Sequence, residues 1–188
     1  MLPSALIAFR GILGPVVLLC AMCYPEKPIF VGCLVAALLS DFFDGVIARR
    51  LGIATAVLRR MDSLADTGFY VCSTTAAFLL YPEILGGYVW PLAALAVIEG
   101  ARYVFDFWKF GREASYHMWS SKAWGLLLFA TFVSLLGFGV GGPLIPLAIY
   151  WGIVADIEGL AISIRLRVWR PDVPTFWHAR RVAAGTET

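Results

Sequence analysis

Asp41-Phe42-Phe43-Asp44-Gly45-Val46-Ile47-Ala48-Arg49 closes one long apolar run of this chain, and Asp62-Ser63-Leu64-Ala65-Asp66 opens the next. Carboxylates at i and i+3, or at i and i+4, share one face of a helix. Two consecutive helices joined by a short loop run antiparallel. With both pairs beside that loop, Asp41, Asp44, Asp62 and Asp66 are expected to converge at one depth. Four unpaired carboxylates in a poorly hydrated place repel one another, so something cationic is expected among them. Hard divalent ions such as Mg²⁺ take oxygen ligands and accompany phosphate substrates.

Around this stretch the sequence is 60% hydrophobic and 15% charged over 188 residues, with mean hydropathy +0.79. Soluble domains carry roughly 45–50% apolar and 25% charged residues. A soluble chain this apolar would expose large sticky patches. The expected class is therefore all-α: a polytopic membrane protein, a single domain over 1–188 with no soluble module. A net charge of +2 gives no reason to expect nucleic acid as a partner. Cys20, Cys23, Cys33 and Cys72 all fall in apolar runs, where cysteine behaves as a small buried hydrophobe. Cys20 and Cys23 form a CxxC, but with no second pair it reads as packing rather than redox or zinc chemistry.

A membrane helix needs roughly 20 mostly apolar residues. Six spans are expected, at about 5–23, 29–50, 56–80, 84–108, 118–138 and 143–168. The first resembles a signal peptide in length, but Arg10 interrupts it and further spans follow. A polar tail, 171–188, is expected to lie on the cytoplasmic surface. Arg49, Arg50, Arg59 and Arg60 surround the second link, Lys109 and Arg112 sit in the fourth, and Arg165, Arg167, Arg170, Arg180 and Arg181 follow the last span. The odd links carry only Lys27. The positive-inside rule then places both termini and the acidic cluster on the cytoplasmic side; the membrane itself is expected to be a bacterial or archaeal-type cell membrane.

Ionisable residues inside spans are costly and mark function. The spacing here resembles the signature of the CDP-alcohol phosphatidyltransferases: D-x2-D-G-x2-A-R, eight residues, then G-x3-D-x3-D. Asp41, Asp44, Gly45, Ala48, Arg49, Asp62 and Asp66 match it. Leu58 stands where the signature has its second glycine. Chain length and span count also resemble the family.

The resemblance implies a reaction and its residues. A substituted phosphate group would pass from a CDP-alcohol, by default CDP-diacylglycerol, to the hydroxyl of a small polar acceptor, with release of CMP. Asp41, Asp44, Asp62 and Asp66 would bind two divalent ions, Mg²⁺ or Mn²⁺. Asp66 would also take the acceptor's proton as general base. Asp41, Gly45, Ala48, Arg49, Leu58 and Asp62 would border the nucleotide. Length and the Asp41–Arg49 run resemble bacterial phosphatidylglycerophosphate synthases, the Asp62–Asp66 run equally resembles phosphatidylserine synthases, and inositol-phosphate-using members stay open; a homodimer is implied by the resemblance. The acceptor's anionic group is assigned to Arg102, Lys109, Arg112 and Lys122, with Lys122 pointing inward; these cations are equally explained by lipid phosphates. His117 reads as interfacial. Glu99, Asp156 and Glu158 read as structural pairs or substrate contacts, Glu99 with Arg102.

Three alternatives use the same features. A divergent, non-catalytic member acting as a membrane lipid- or nucleotide-binding scaffold would explain Leu58, but such a protein need not keep four costly carboxylates. A cation transporter is expected to show broken helices near mid-membrane or repeat symmetry, and neither is visible. Intramembrane prenyltransferases also use spaced aspartates, in longer chains.

Overall fold

The computed structural model describes residues 2–52 and 55–183. These residues form α1 (Leu2–Cys23), α2 (Lys27–Arg50), α3 (Ala56–Leu80), a short α4 (Pro82–Gly86), α5 (Val89–Phe110), α6 (Trp119–Phe132), α7 (Leu144–Arg165) and α8 (Phe176–Ala183). A π-helical turn, Val133–Gly137, continues α6. Among the described residues there is no strand. The all-helical expectation is met.

Length and composition alone do not establish six spans. Among the described residues, four helices are long and apolar enough to cross a membrane: Leu2–Cys23, Lys27–Ala48, Trp119–Gly137 and Leu144–Arg165. Twenty-two residues of α-helix reach about 33 Å, against a hydrocarbon core of about 30 Å. α3 and α5, of 25 and 22 residues, are long enough, but they are more polar. α3 carries Arg59, Arg60, Asp62 and Asp66 in its first half, and α5 carries Glu99, Arg102, Asp106 and Lys109. The expected fourth span also begins later, because Gly86-Gly87 separates α4 from α5.

The chain divides into two compact units. The first comprises residues 1–86 and 129–141. Its core forms where α1 lies against α2 and α3. Each helix contributes a stripe at helical spacing: Ile7, Leu13 and Val17 from α1, Phe30, Leu34 and Ala37 from α2, and Phe69, Ala76 and Ala77 from α3 are all buried. Close approach of α1 and α3 depends on Gly14. A Cβ there would lie 3.1 Å from the Phe69 Cα, a backbone atom that cannot step aside. Gly14→Leu is therefore expected to force the helices apart and lower stability by about 1–3 kcal/mol, read as thermal unfolding in detergent. Thr55 starts α3 by accepting a hydrogen bond from the Leu58 N–H at 3.2 Å, an N-cap.

The second unit comprises residues 87–128 and 142–188. Here α5 packs on α7, and α8 packs on α7. Gly111, at φ 68°, ends α5 in the left-handed conformation that glycine adopts without strain. The links 111–118 and 166–175 are tied together: Trp169 Nε1 donates to the Glu113 carbonyl at 3.0 Å and the Asp172 N–H to the Ser115 carbonyl at 2.9 Å. Tyr116, Met118, Ile162, Leu166, Val173 and Ala179 form one buried cluster. The tail is thus not wholly a surface segment. α8 buries Ala179 while exposing Trp177 and Arg180. Residues 184–188 of the expected tail lie outside the described residues.

Candidate active site

Asp41 and Asp44 prolong the buried stripe of α2, following Phe30, Leu34 and Ala37 at intervals of three or four. Asp62 and Asp66 begin the α3 stripe that Phe69 and Ser73 continue. Packing of these faces against α1 brings the carboxylates together inside the first unit. Asp41, Asp62 and Asp66 each offer a carboxylate oxygen, and these oxygens lie within 4.8 Å of one another. Asp44 is more deeply set, at 4% exposed.

A cation already sits among them. Arg10, in the α1 stripe between Ile7 and Leu13, is 1% exposed. Its Nη1 donates to Asp41 Oδ1 at 2.7 Å. Its Nη2 donates to Asp44 Oδ2 at 3.4 Å and also to Asp62 Oδ1. Its Nε lies 2.9 Å from Asp66 Oδ1, an ion pair by distance, but the N–H lacks the alignment of a hydrogen bond. The predicted convergence of four aspartates is therefore found, with Arg10 as its hub. Local periodicity does not reveal this residue's partners. The available signal was a lone arginine within an otherwise apolar span, which calls for a named partner.

The donor set suits a hard divalent ion. All donors are carboxylate oxygens, three residues are close enough to share one ion, and the four carboxylates share the one guanidinium of Arg10. Side chains of Asp41, Asp62 and Asp66 are 49%, 30% and 37% exposed, so an ion can reach them. Asp44 is not among the three that gather within ligand reach of one another; its observed ion pair is with Arg10.

The sequence model of CDP-alcohol phosphatidyltransferases matches residues 1–157, which takes in all four aspartates and Arg10. The chain belongs to the CDP-alcohol phosphatidyltransferase family. Searches of curated proteins and of solved structures returned no match. Phosphatidyl transfer from a CDP-alcohol, in phospholipid synthesis, is the chemistry of this phosphotransferase family. The apolar helices agree with an integral membrane protein.

Other expected site residues can be placed. Gly45 is half-buried and Ala48 is buried, on the α2 face that carries Asp41 and Asp44. The Arg49 side chain lies outside the described residues. Leu58 is half-buried in the first turn of α3, one turn before Asp62.

The four basic residues expected at the acceptor lie in the second unit, each with a partner of its own. Arg102 Nε lies 3.1 Å from Asp156 Oδ1, so Arg102 pairs with Asp156. Lys109 Nζ donates to the carbonyls of Ser163 and Ile164, at 2.8 and 2.9 Å. A cation on the last carbonyls of α7 is a favourable C-terminal cap. Arg112 is exposed, with its guanidinium 4.9 Å from the Trp169 ring centroid. Lys122 does not point inward. It is exposed, with Nζ 4.6 Å from the centroid of Trp119, its neighbour one turn earlier. His117 is exposed and faces Asp172 at 3.8 Å. Glu158 accepts from Ser120 Oγ at 2.6 Å and from the Phe176 N–H at 3.1 Å.

The second unit also holds a buried polar group that no motif indicated. Ser163 Oγ donates to the buried Asp106, and the Tyr116 hydroxyl lies 2.8 Å from Ser163 Oγ. Because the Ser163 proton goes to Asp106, Tyr116 is the donor in that second bond. Burial pushes the Tyr116 phenol up to about 12, so it keeps the proton this role needs.

Proposed function

We propose that this phosphatidyltransferase moves a phosphatidyl group from CDP-diacylglycerol to the hydroxyl of a small polar acceptor, releasing CMP, in the manner of a phosphatidylglycerophosphate synthase. The supporting observation is the gathering of Asp41, Asp44, Asp62 and Asp66 about Arg10, with Asp41, Asp62 and Asp66 open to an ion and within ligand reach of one another. The whole chain acts as one six-span membrane domain, α3 and the α5 segment included, and works as a homodimer. Both termini and the site face the cytoplasm, where nucleotide is found; the arginines of the second link and of the tail support this orientation.

Asp41, Asp44, Asp62 and Asp66 hold two divalent ions, Mg²⁺ or Mn²⁺. These ions, when bound, neutralise the donor's diphosphate and acidify the acceptor hydroxyl. Gly45 and Ala48 present a side-chain-poor face to the cytidine diphosphate, and Arg49 and Leu58 border it. Asp66 accepts the acceptor's proton on a carboxylate oxygen. It works by position rather than by a matched pKa, because a carboxylate beside cations stays ionised. The acceptor oxygen then attacks the phosphorus next to the lipid, and the bond to CMP breaks. Arg112 and Lys122 are exposed cations suited to an anionic group on the acceptor, whereas Arg102 and Lys109 are engaged by their own unit.

The test is CMP release from CDP-diacylglycerol by purified protein with Mg²⁺ or Mn²⁺. Glycerol 3-phosphate, serine, inositol and inositol phosphate are compared with no acceptor. Acceptor-dependent release, largest with glycerol 3-phosphate, is expected. No release with any acceptor, despite metal-dependent donor binding, would instead favour the scaffold reading. Leu58→Gly restores the family residue and is expected to hold or raise the rate, while a large loss would show that leucine belongs to this pocket.

A further inference from the structure

We propose that Arg10 is a built-in countercation for the aspartate cluster, exchanged for divalent metal when the site loads. In the metal-free protein its guanidinium gathers the carboxylates; on loading it gives them up. This rests on the metal-site reading of the four aspartates.

Three observations carry it. First, Arg10 is almost fully buried, and its ion-pair partners are Asp41, Asp44, Asp62 and Asp66. A buried charge needs such partners, and breaking a buried ion pair is strongly destabilising. Second, the carboxylates Arg10 holds include the three that could ligate an ion together. A divalent ion draws oxygens to about 2.0–2.6 Å. A guanidinium at hydrogen-bond distance from the same carboxylates would then share their centre with a second cation, and like charges that close repel. Third, the grip is incomplete. The Arg10 Nε–H is buried and unaligned on Asp66, and the Asp44 contact is long at 3.4 Å. Arg10 therefore holds the cluster without saturating it, as a displaceable occupant should.

Exchange makes Arg10 a competitor of the metal, and two ligands that oppose each other do so reciprocally. Removing the guanidinium should tighten metal binding and weaken the metal-free fold. Free Mn²⁺ is followed by electron paramagnetic resonance, with the full chain in phosphatidylcholine nanodiscs. Arg10→Gln is expected to half-saturate at a Mn²⁺ concentration at least about fivefold below wild type. In chelator its thermal midpoint should fall below wild type, and Mn²⁺ should recover most of the loss. An unchanged or higher half-saturation point would overturn the exchange.

Should Arg10→Gln fail to fold, Arg10→Lys keeps a positive charge. Its point-like ammonium lacks the planar fork that spans several carboxylates, so a smaller drop in half-saturation, about twofold or more, is expected. A wild-type value in Arg10→Lys would overturn the proposal. Asp62→Asn separates the two layers of inference. Mn²⁺ binding lost in Asp62→Asn but indifferent to Arg10 removes the exchange alone. Wild type and both Arg10 variants all failing to bind Mn²⁺ would remove the metal site with it.

Discussion

Asp66→Asn lowers the rate of CMP release about 10²–10⁴-fold, the range that loss of a general base typically gives. The change is nearly isosteric, so the α3 stripe should pack as before. What disappears is the lone pair that takes the acceptor's proton, together with one negative charge facing Arg10 Nε at 2.9 Å. Asp41, Asp44 and Asp62 remain, with Arg10 still bonded to all three. Donor binding should therefore survive in part, and the loss should appear in kcat more than in the donor's apparent affinity. Single-turnover CMP release beside equilibrium binding of CDP-diacylglycerol makes that separation. Near-normal turnover would remove Asp66 as the base. A thermal midpoint far below wild type would instead mark Asp66 as chiefly structural.

Arg102→Ala destabilises the second unit by about 3–5 kcal/mol, the scale for removing one partner of a buried ion pair. Asp156 is 2% exposed, and its Oδ2 has no hydrogen-bond partner among the described residues. Arg102 supplies its nearby positive charge, and the arginine stem also packs over Gly159, 3.1 Å from where a Cβ would stand. Truncation would thus strand a carboxylate and open a void together. Replacing both partners by apolar residues, Arg102→Met with Asp156→Leu, should recover most of the loss, because the cost lies in the unpaired charge. Unfolding by a graded denaturing detergent measures all three variants. A loss under about 1 kcal/mol for Arg102→Ala would show Asp156 to be hydrated or neutral.

Much of the candidate site is legible locally. The spacing of Asp41 with Asp44, and of Asp62 with Asp66, specifies a shared helix face whatever the helices pack against. The glycine, alanine and arginine at 45, 48 and 49 complete a pattern specific enough to indicate the family. The acceptor residues were less legible. Arg102, Lys109, Arg112 and Lys122 look alike as positive charges near one link. Whether each meets a carboxylate, a helix end or an indole depends on residues far along the chain or on side-chain direction. Composition also overstated the uniformity of the spans: charges that give α3 and α5 their pairs remove them from the set apolar enough to cross by length and composition alone.

By itself, then, the sequence determined the helical membrane class, the faces on which four aspartates stand and the family to which the chain belongs. These are short-range properties, carried by hydropathy and by a period of 3.6 residues. Tertiary structure alone decided that Arg10 enters the cluster from a helix 31 to 52 positions away by its hydrogen bonds, and that Arg102 belongs to Asp156. Such pairings follow from which helix faces press together, and burial makes them obligatory: a charge shut away from water must find its opposite within reach.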